Sequence, residues 1–285
     1  MQKIKFNGLL PIIMALMVGC GGSPETTTEA DTKGEDSLMM DSIRTQVKEF
    51  VHIFPSHLKV ARLFKNAGLR YESSYLLSTA HASRLITTQD KAFGLGFYGV
   101  DMAYTAINNQ TQASISFLKE SKSLSQQLGL ESVYESNHYL QKFEANLNNL
   151  DTLEEIIRDL FAETDAFLKD NDKLDITLLT FAGGWTESVY LAASYAKSTK
   201  NQAIVEIIGD QLVSLNPLIR LLGENQKNFD NTDLIKQLNE TKKILESGIV
   251  KPETETEPMV FQLTTSQLEK LLTKLKEIRS KITDV

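Results

Sequence analysis

The stretch KAFGLGFYGVDMAYTAI, residues 91–107, places three glycines inside a nearly continuous apolar segment. Gly94 begins a G-x-G-x-x-G spacing, but a dinucleotide-binding loop needs a strand before that spacing, and the preceding residues have no strand pattern. Five small residues instead recur at steps of four and three, which places them on one face of a helix; they are Ala92, Gly96, Gly99, Ala103 and Ala106. Because small side chains let two helix backbones approach closely, the stretch predicts a tightly packed helix and not a phosphate site.

A second small-residue stretch aligns with the first, without a gap, at an offset of 90 residues. It places Ala182, Thr186, Val189, Ala193 and Ala196 on the five small positions. Identity between the stretches is low, and a chance match is the alternative to a true repeat. We interpret them as the first helices of two related hairpins. The prediction is an all-α fold, a bundle or array of antiparallel helix hairpins, loosely like tetratricopeptide repeats but without the signature of that family.

Apolar periodicity predicts about eight to ten helices in a helical domain over residues 37–248. The predicted helices cover residues 37–51, 56–67, 74–85, 87–108, 111–128, 131–147, 151–168, 176–197, 202–222 and 232–247. Pro217 lies inside the 202–222 segment and predicts a kink or a division there.

The N-terminus has the layout of a secretory signal, with two lysines, an apolar run over residues 9–18 and then small residues. It leads into Met17-Val18-Gly19-Cys20, and Cys20 is the single cysteine of the chain. This junction resembles the lipobox of bacterial lipoproteins, with Met17 where Leu is most frequent. The resemblance implies that residues 1–19 are a cleaved signal peptide and that the Cys20 thiol is acylated. An ordinary signal peptide with a coincidental cysteine is the alternative.

The lipobox resemblance also implies a location in the cell envelope. Two or three acyl chains hold a protein stably in a bilayer. Gly21 stands where an Asp would favour retention in the inner membrane of diderm bacteria, so we expect attachment to the outer membrane, facing either the periplasm or the outside. Residues 20–36 are acidic and carry small, polar side chains, which predicts a flexible tether.

A further resemblance lies in LGFYGVDMAY, residues 95–104. This segment is similar to the LGxYxxDxxY helix of an uncharacterised family of helical outer-membrane lipoproteins. The resemblance implies a helical fold and an envelope location, and it brings no activity with it.

The charge balance argues against one class of partner. The chain has 30 basic and 37 acidic residues and a formal net charge of −7, whereas proteins that bind nucleic acid present a basic surface. We therefore expect no nucleic-acid partner. The expected contacts are with the membrane, through the acyl chains, and with another envelope protein.

Two acidic residues, Asp101 and Glu187, interrupt otherwise apolar helices and have aromatic neighbours in the sequence. Together with Tyr98, Tyr104 and Trp185 they form a candidate small-molecule pocket, because a buried carboxylate among aromatic rings can bind a ligand or act as a base. The interpretation that we favour is structural, with each carboxylate bonding a tyrosine hydroxyl and specifying the packing.

Two E-x-x-H spacings, Glu49 with His52 and Glu135 with His138, would each place two ligands on one face of a helix. Ferritin-like di-iron bundles use two such pairs and two further glutamates. The surrounding helices lack the alternating glutamates of that site. We therefore expect no metal and no cofactor, with these four residues as remote candidates for a di-iron centre.

The C-terminal part begins with an acidic, proline-containing segment, residues 249–262, that is predicted to be a linker. An amphipathic helix is predicted over residues 263–285, with a capping box at Ser266 and Glu269. One face carries Leu268, Leu271, Leu272, Leu275, Ile278 and Ile282, and the other carries Lys270, Lys274, Lys276, Arg279 and Lys281. The helix either docks on the helical domain or, as a tethered element, binds a partner groove or an anionic surface.

The sequence contains no G-x-S-x-G, H-E-x-x-H or P-loop motif. It therefore favours a non-enzymatic, membrane-anchored envelope lipoprotein that serves as a protein-interaction or scaffold module. A small-molecule-binding lipoprotein is the alternative, and a di-iron carboxylate protein is a remote one.

Overall fold

The structure is a computed structural model, and it describes residues 42, 45–46, 57–146, 149–226, 228–250 and 260–284. These residues are almost entirely helical, which confirms the prediction of an all-α fold. The α-helices are α1 (His57–Asn66), α2 (Thr88–Ile107), α3 (Thr111–Gln127), α4 (Glu131–Ser136), α5 (Tyr139–Ala145), α6 (Leu150–Asp170), α7 (Leu174–Thr199), α8 (Gln202–Asp210), α9 (Leu212–Glu224), α10 (Thr232–Glu246) and α11 (Thr265–Thr283).

Short elements connect some of these helices. Two 3₁₀ helices, Ser73–Tyr75 and Thr79–Arg84, lie between α1 and α2. The strands β1 (Ile249–Val250) and β2 (Val260–Phe261) pair antiparallel between α10 and α11. The two ends of the predicted linker are therefore joined by backbone hydrogen bonds.

The centre of the fold consists of α2 and α7. All of residues 92–107 on α2 and residues 181–193 on α7 are buried. A helix that is apolar on every side belongs in a core, because only there are all of its faces covered. The start of α2 is fixed by a capping box in which the Thr87 hydroxyl and the Asp90 carboxylate bind each other's backbone N–H groups.

The predicted close approach at the small-residue stripe is present at Gly96. A methyl group on Gly96 would lie 2.6 Å from the backbone nitrogen of Gly184, and closer still to the carbonyl oxygen of Thr180. Gly183 meets the backbone of Phe93 in the same way. The backbones of α2 and α7 are therefore in direct contact.

Successive contacts between α2 and α7 involve residues that lie further along both helices. Thr180 donates a hydrogen bond from its hydroxyl to the carbonyl oxygen of Ala92, and Gly184 lies against Gly96 one turn later. The two helices therefore run in the same direction. This is the arrangement expected when the first helices of two hairpins stack side by side, as in a helical array.

Three predicted helices differ from the observed ones. The segment 74–85 forms the two 3₁₀ helices, where the Glu72 and Ser78 side chains accept backbone N–H groups and compete with a regular helix. The segment 131–147 breaks into α4 and α5 at His138, whose φ of 50° is left-handed. The segment 202–222 divides at Gln211, while Pro217 lies within α9; a division at Pro217, one of the two predicted outcomes, was wrong.

The C-terminal helix α11 docks on α7 and α10. All six residues of its aliphatic stripe are buried, so the alternative of an undocked, tethered helix was wrong. Its capping box is formed by Thr264 and Gln267, two residues before the predicted pair. Gln267 also donates to Ser247 at the end of α10, which fixes where α11 begins.

Several predictions lie outside the described residues: the signal peptide over residues 1–19, Cys20 and the tether over residues 20–36. Within the described part of the chain, no helix is both long enough and apolar enough to cross a membrane.

Candidate functional site

Asp101 on α2 and Glu187 on α7 come together in the interior, and both side chains are fully buried. The direct backbone contact of α2 and α7 brings them together, since it leaves no room for other side chains between the helices. Arg279 of α11 completes the group. Its Nε lies 2.7 Å from Oε2 of Glu187 and its Nη2 lies 2.8 Å from Oε1, a bidentate ion pair. We call Asp101, Glu187 and Arg279 the carboxyl–arginine cluster.

Two further groups contact the Arg279 guanidinium. Nη2 also donates to the carbonyl oxygen of Tyr75 at 2.9 Å. The ring of Tyr190 lies against the guanidinium, with its centroid 3.8 Å from Cζ, a distance at which a cation is attracted to an aromatic face. The cluster therefore connects α2, α7, α11 and the 3₁₀ helix Ser73–Tyr75.

The two carboxyl groups differ in their bonding, although burial raises the pKa of both. Oδ2 of Asp101 accepts the backbone N–H of Leu77 at 3.0 Å, whereas Oδ1 is buried and no donor reaches it. Burial raises the pKa of the Asp101 carboxyl well above its usual range, and the charge of Glu187 raises it further. Burial also raises the pKa of Glu187, while Arg279 and a hydrogen bond from Asp101 lower it. When the pair holds a single proton, these directions favour the proton on Asp101 and the charge on Glu187.

The three aromatic residues of the predicted pocket bind backbone groups elsewhere. The Tyr98 hydroxyl donates to the carbonyl oxygen of Ser78 at 2.9 Å. The Tyr104 hydroxyl donates to Arg70 O and accepts the N–H of Glu72, and Trp185 Nε1 donates to Gln211 O at 3.3 Å. These aromatic side chains fasten connecting segments to the two central helices. The carboxylates are bonded to Arg279 and Leu77, and not to tyrosine hydroxyls as we had expected.

Cavities lie near the cluster but do not open onto it. One of about 10 Å³, lined by Val100, Tyr104, Ser188 and other residues of α1, α2 and α7, has room for about one water. A larger cleft of about 240 Å³ is lined by Gln89, Asp90, Phe93, Leu179, Asp230, Asp233, Leu234 and Lys281. Its volume is below the roughly 300–1,000 Å³ of typical ligand pockets. Neither lining includes a member of the carboxyl–arginine cluster.

The E-x-x-H pairs do not form a metal site in the described residues. Glu135 lies in α4, and His138 lies between α4 and α5, so the two do not share one helix face. Glu49 and His52 lie outside the described residues. Among the described residues, no group of three His, Cys, Asp or Glu side chains is placed to hold a metal ion.

Sequence reasoning missed Arg279, which had been assigned to the basic, solvent-facing side of the last helix. It is buried, with 8% of its surface exposed. A signal was present in the spacing: Arg279 follows Leu272 by seven residues and Leu275 by four, which places it on the aliphatic face. Its partner Glu187, an acidic residue within an apolar helix, provided the matching signal.

Comparison with models of known protein families, with curated proteins and with solved structures finds no match to this chain.

Proposed function

We propose that this protein is a lipid-anchored component of the cell envelope whose helical domain is a protein-interaction or scaffold module and not an enzyme. The observation that carries the proposal is Cys20, which directly follows Met17-Val18-Gly19 at the end of an apolar run. Acylation of that thiol would hold the chain at a bilayer, with residues 20–36 as the tether.

The interior supports a structural use of the polar residues. Both oxygens of Glu187 accept from Arg279, and the Tyr98 and Tyr104 hydroxyls bind backbone carbonyl groups. Side chains that are committed to such bonds hold helices and loops in place. The buried polar side chains named here therefore stabilise the fold.

The surface supports contact with another protein at the β1–β2 ribbon. Ile249, Val250 and Val260 expose between 38% and 47% of their surface there. Beneath them, Phe261 packs on Gly209 of α8, and Gln202 donates to the carbonyl oxygen of Phe261. The ribbon therefore presents three partly exposed β-branched side chains on a packed support.

The anchor is tested with Cys20→Ala in the full chain, expressed in a diderm host. We expect loss of labelled palmitate and a shift from the membrane fraction to the soluble fraction. Ser23→Ala is the matched control, because it changes a small residue of the tether and leaves the lipobox intact. Unchanged palmitate labelling of Cys20→Ala would rule out the anchor and favour an ordinary signal peptide.

The interaction surface is tested with a photoreactive amino acid at position 250 in intact cells. We expect one discrete protein adduct from position 250 and none from Lys243, an exposed control position on α10. Equal adducts at both positions, or none at either, would contradict an interface at the ribbon.

A further inference from the structure

We propose that α11 is a proton-dependent latch: it holds firmly to α2 and α7 while the Asp101–Glu187 pair carries one proton, and the hold weakens as that proton is lost. The latch is a property of the carboxyl–arginine cluster and is independent of the proposed anchor and partner.

The carboxyl groups of Asp101 and Glu187 are hydrogen-bonded unequally. Glu187 uses both oxygens for Arg279, at 2.7 and 2.8 Å. Asp101 uses Oδ2 for the N–H of Leu77, and its Oδ1 has no donor although it is buried. A buried carboxylate oxygen without a donor is costly, and a proton held between the two carboxyl groups removes that deficit.

The titratable and charged groups that face Asp101 come from several elements: Tyr98 on α2, Tyr71 before the first 3₁₀ helix, Glu187 on α7 and Arg279 on α11. Tyr190 of α7 lies against Arg279. Among these, Arg279 is the one cation and Glu187 already neutralises it. A second ionised carboxyl would leave one uncompensated negative charge in the core, which is strongly unfavourable.

The element that moves is α11. At Gly96 and Gly183 the α2–α7 contact is backbone against backbone and involves no charge, and the Asp101–Glu187 pair lies further along the same two helices. Outside the cluster, the aliphatic stripe of α11 packs on the rest of the domain. Ion pairs such as Lys197–Glu269 also contact α11, but their side chains are about half exposed, so they contribute little to the stability of docking. Arg279 belongs to α11 and covers the carboxyl pair. Undocking of α11 therefore removes the arginine and gives water access to both carboxyl groups.

The sign follows from proton linkage. Burial raises the pKa of Asp101 in the docked state, so the docked state binds the proton more tightly than the undocked state. Between the ordinary pKa of an aspartate and the raised one, the undocked population therefore grows about tenfold for each unit of rising pH. Docking of α11 is firmest in acid and weakens towards alkaline pH.

The test is hydrogen exchange of the full chain in detergent, with exchange rates corrected for their intrinsic pH dependence. We expect the protection of α11 amides to fall as the pH rises from about 6 to 9, by up to about tenfold per pH unit. Asp101→Asn keeps the shape and removes the titration, so its α11 protection should be independent of pH. Asp165→Asn is the matched control: burial raises the pKa of Asp165 on α6 to about 7, yet this variant should retain the pH dependence of α11.

An infrared measurement on Asp165→Asn, which removes the other aspartate whose pKa burial raises, keeps the proposal testable if Asp101→Asn does not fold. A protonated carboxylic acid has a carbonyl stretch distinct from that of a carboxylate, and we expect this band to persist at neutral pH. Absence of the band at pH 7 would overturn the latch, as would pH-independent protection of α11 in the unmodified chain. Equal pH dependence in Asp101→Asn would overturn it as well.

Discussion

The face of α7 that meets α2 and the face that meets α11 are built in opposite ways. Gly183 of α7 and Gly96 of α2 bring backbone onto backbone and leave no room for even a methyl group. Against α11, long side chains fill the interface, and one of them, Arg279, brings a charge into the core. One helix therefore carries a contact defined by shape and a contact defined by charge.

The two contacts respond to different changes in solution conditions. At its glycines, the α2–α7 contact depends on van der Waals fit, which salt and pH leave unchanged. The α7–α11 contact contains a buried ion pair. The desolvation cost of such a pair nearly equals its Coulombic attraction, so its net contribution depends on every charge nearby. The first is suited to a permanent centre of the fold, and the second can be adjusted.

The largest expected effect comes from breaking the charged contact. Arg279→Ala leaves Glu187 buried and unpaired, and we expect a loss of about 3–5 kcal/mol in the free energy of unfolding. Urea denaturation at neutral pH measures this loss. Glu187→Leu with Arg279→Leu removes both charges and should recover most of it. A double variant as unstable as Arg279→Ala would show that packing, and not charge, defines this contact.

A smaller loss is expected from the shape-defined contact. Gly96→Ala places a methyl group against the backbone of α7 and should lower the unfolding free energy by about 1–3 kcal/mol. Gly99→Ala is the control in the same helix, since its methyl group would meet the Phe161 ring at 3.2 Å, and a ring can move. There the helix propensity of Ala, about 1 kcal/mol better than Gly, offsets the contact. Equal effects in thermal denaturation would contradict the backbone contact.

The smallest effect is a gain at a glycine that touches neither interface. A methyl group at Gly223, near the end of α9, would meet no atom within 4 Å. Gly223→Ala should therefore stabilise the protein by about 0.5 kcal/mol through helix propensity alone. Calorimetry compares it with Gly96→Ala, and destabilisation at Gly223 would show that glycine at this position has a role that the contacts do not reveal.

The shape-defined contact could be predicted from the sequence, and the charged one could not. Small residues at helical spacing report a close approach directly, because no other residue type allows it, and Gly96 is found where that pattern places it. The sequence predicts that Arg279 faces solvent, because four lysines surround it in the last helix. Its spacing from Leu272 and Leu275 indicates the aliphatic face instead. Its pairing with Glu187 joins segments 92 residues apart, and local periodicity contains no information about such distant partners.

Local competition explains the remaining misses. Residues 74–85 have helical apolar spacing, but Ser78 binds the backbone N–H of Ala80 and favours a tighter 3₁₀ turn. Gln211, where the 202–222 segment divides, is buried, and its carbonyl oxygen accepts from Trp185. That tertiary contact lies 26 residues away, and it marks a break that Pro217 had been expected to cause.

Protein synthesis gives the carboxyl–arginine cluster a fixed order of assembly. The ribosome makes Asp101 first, then Glu187, and Arg279 only 92 residues after Glu187. The arginine that pairs with Glu187 lies on α11, the last helix of the described chain. The cluster can therefore be complete only after α11 has docked.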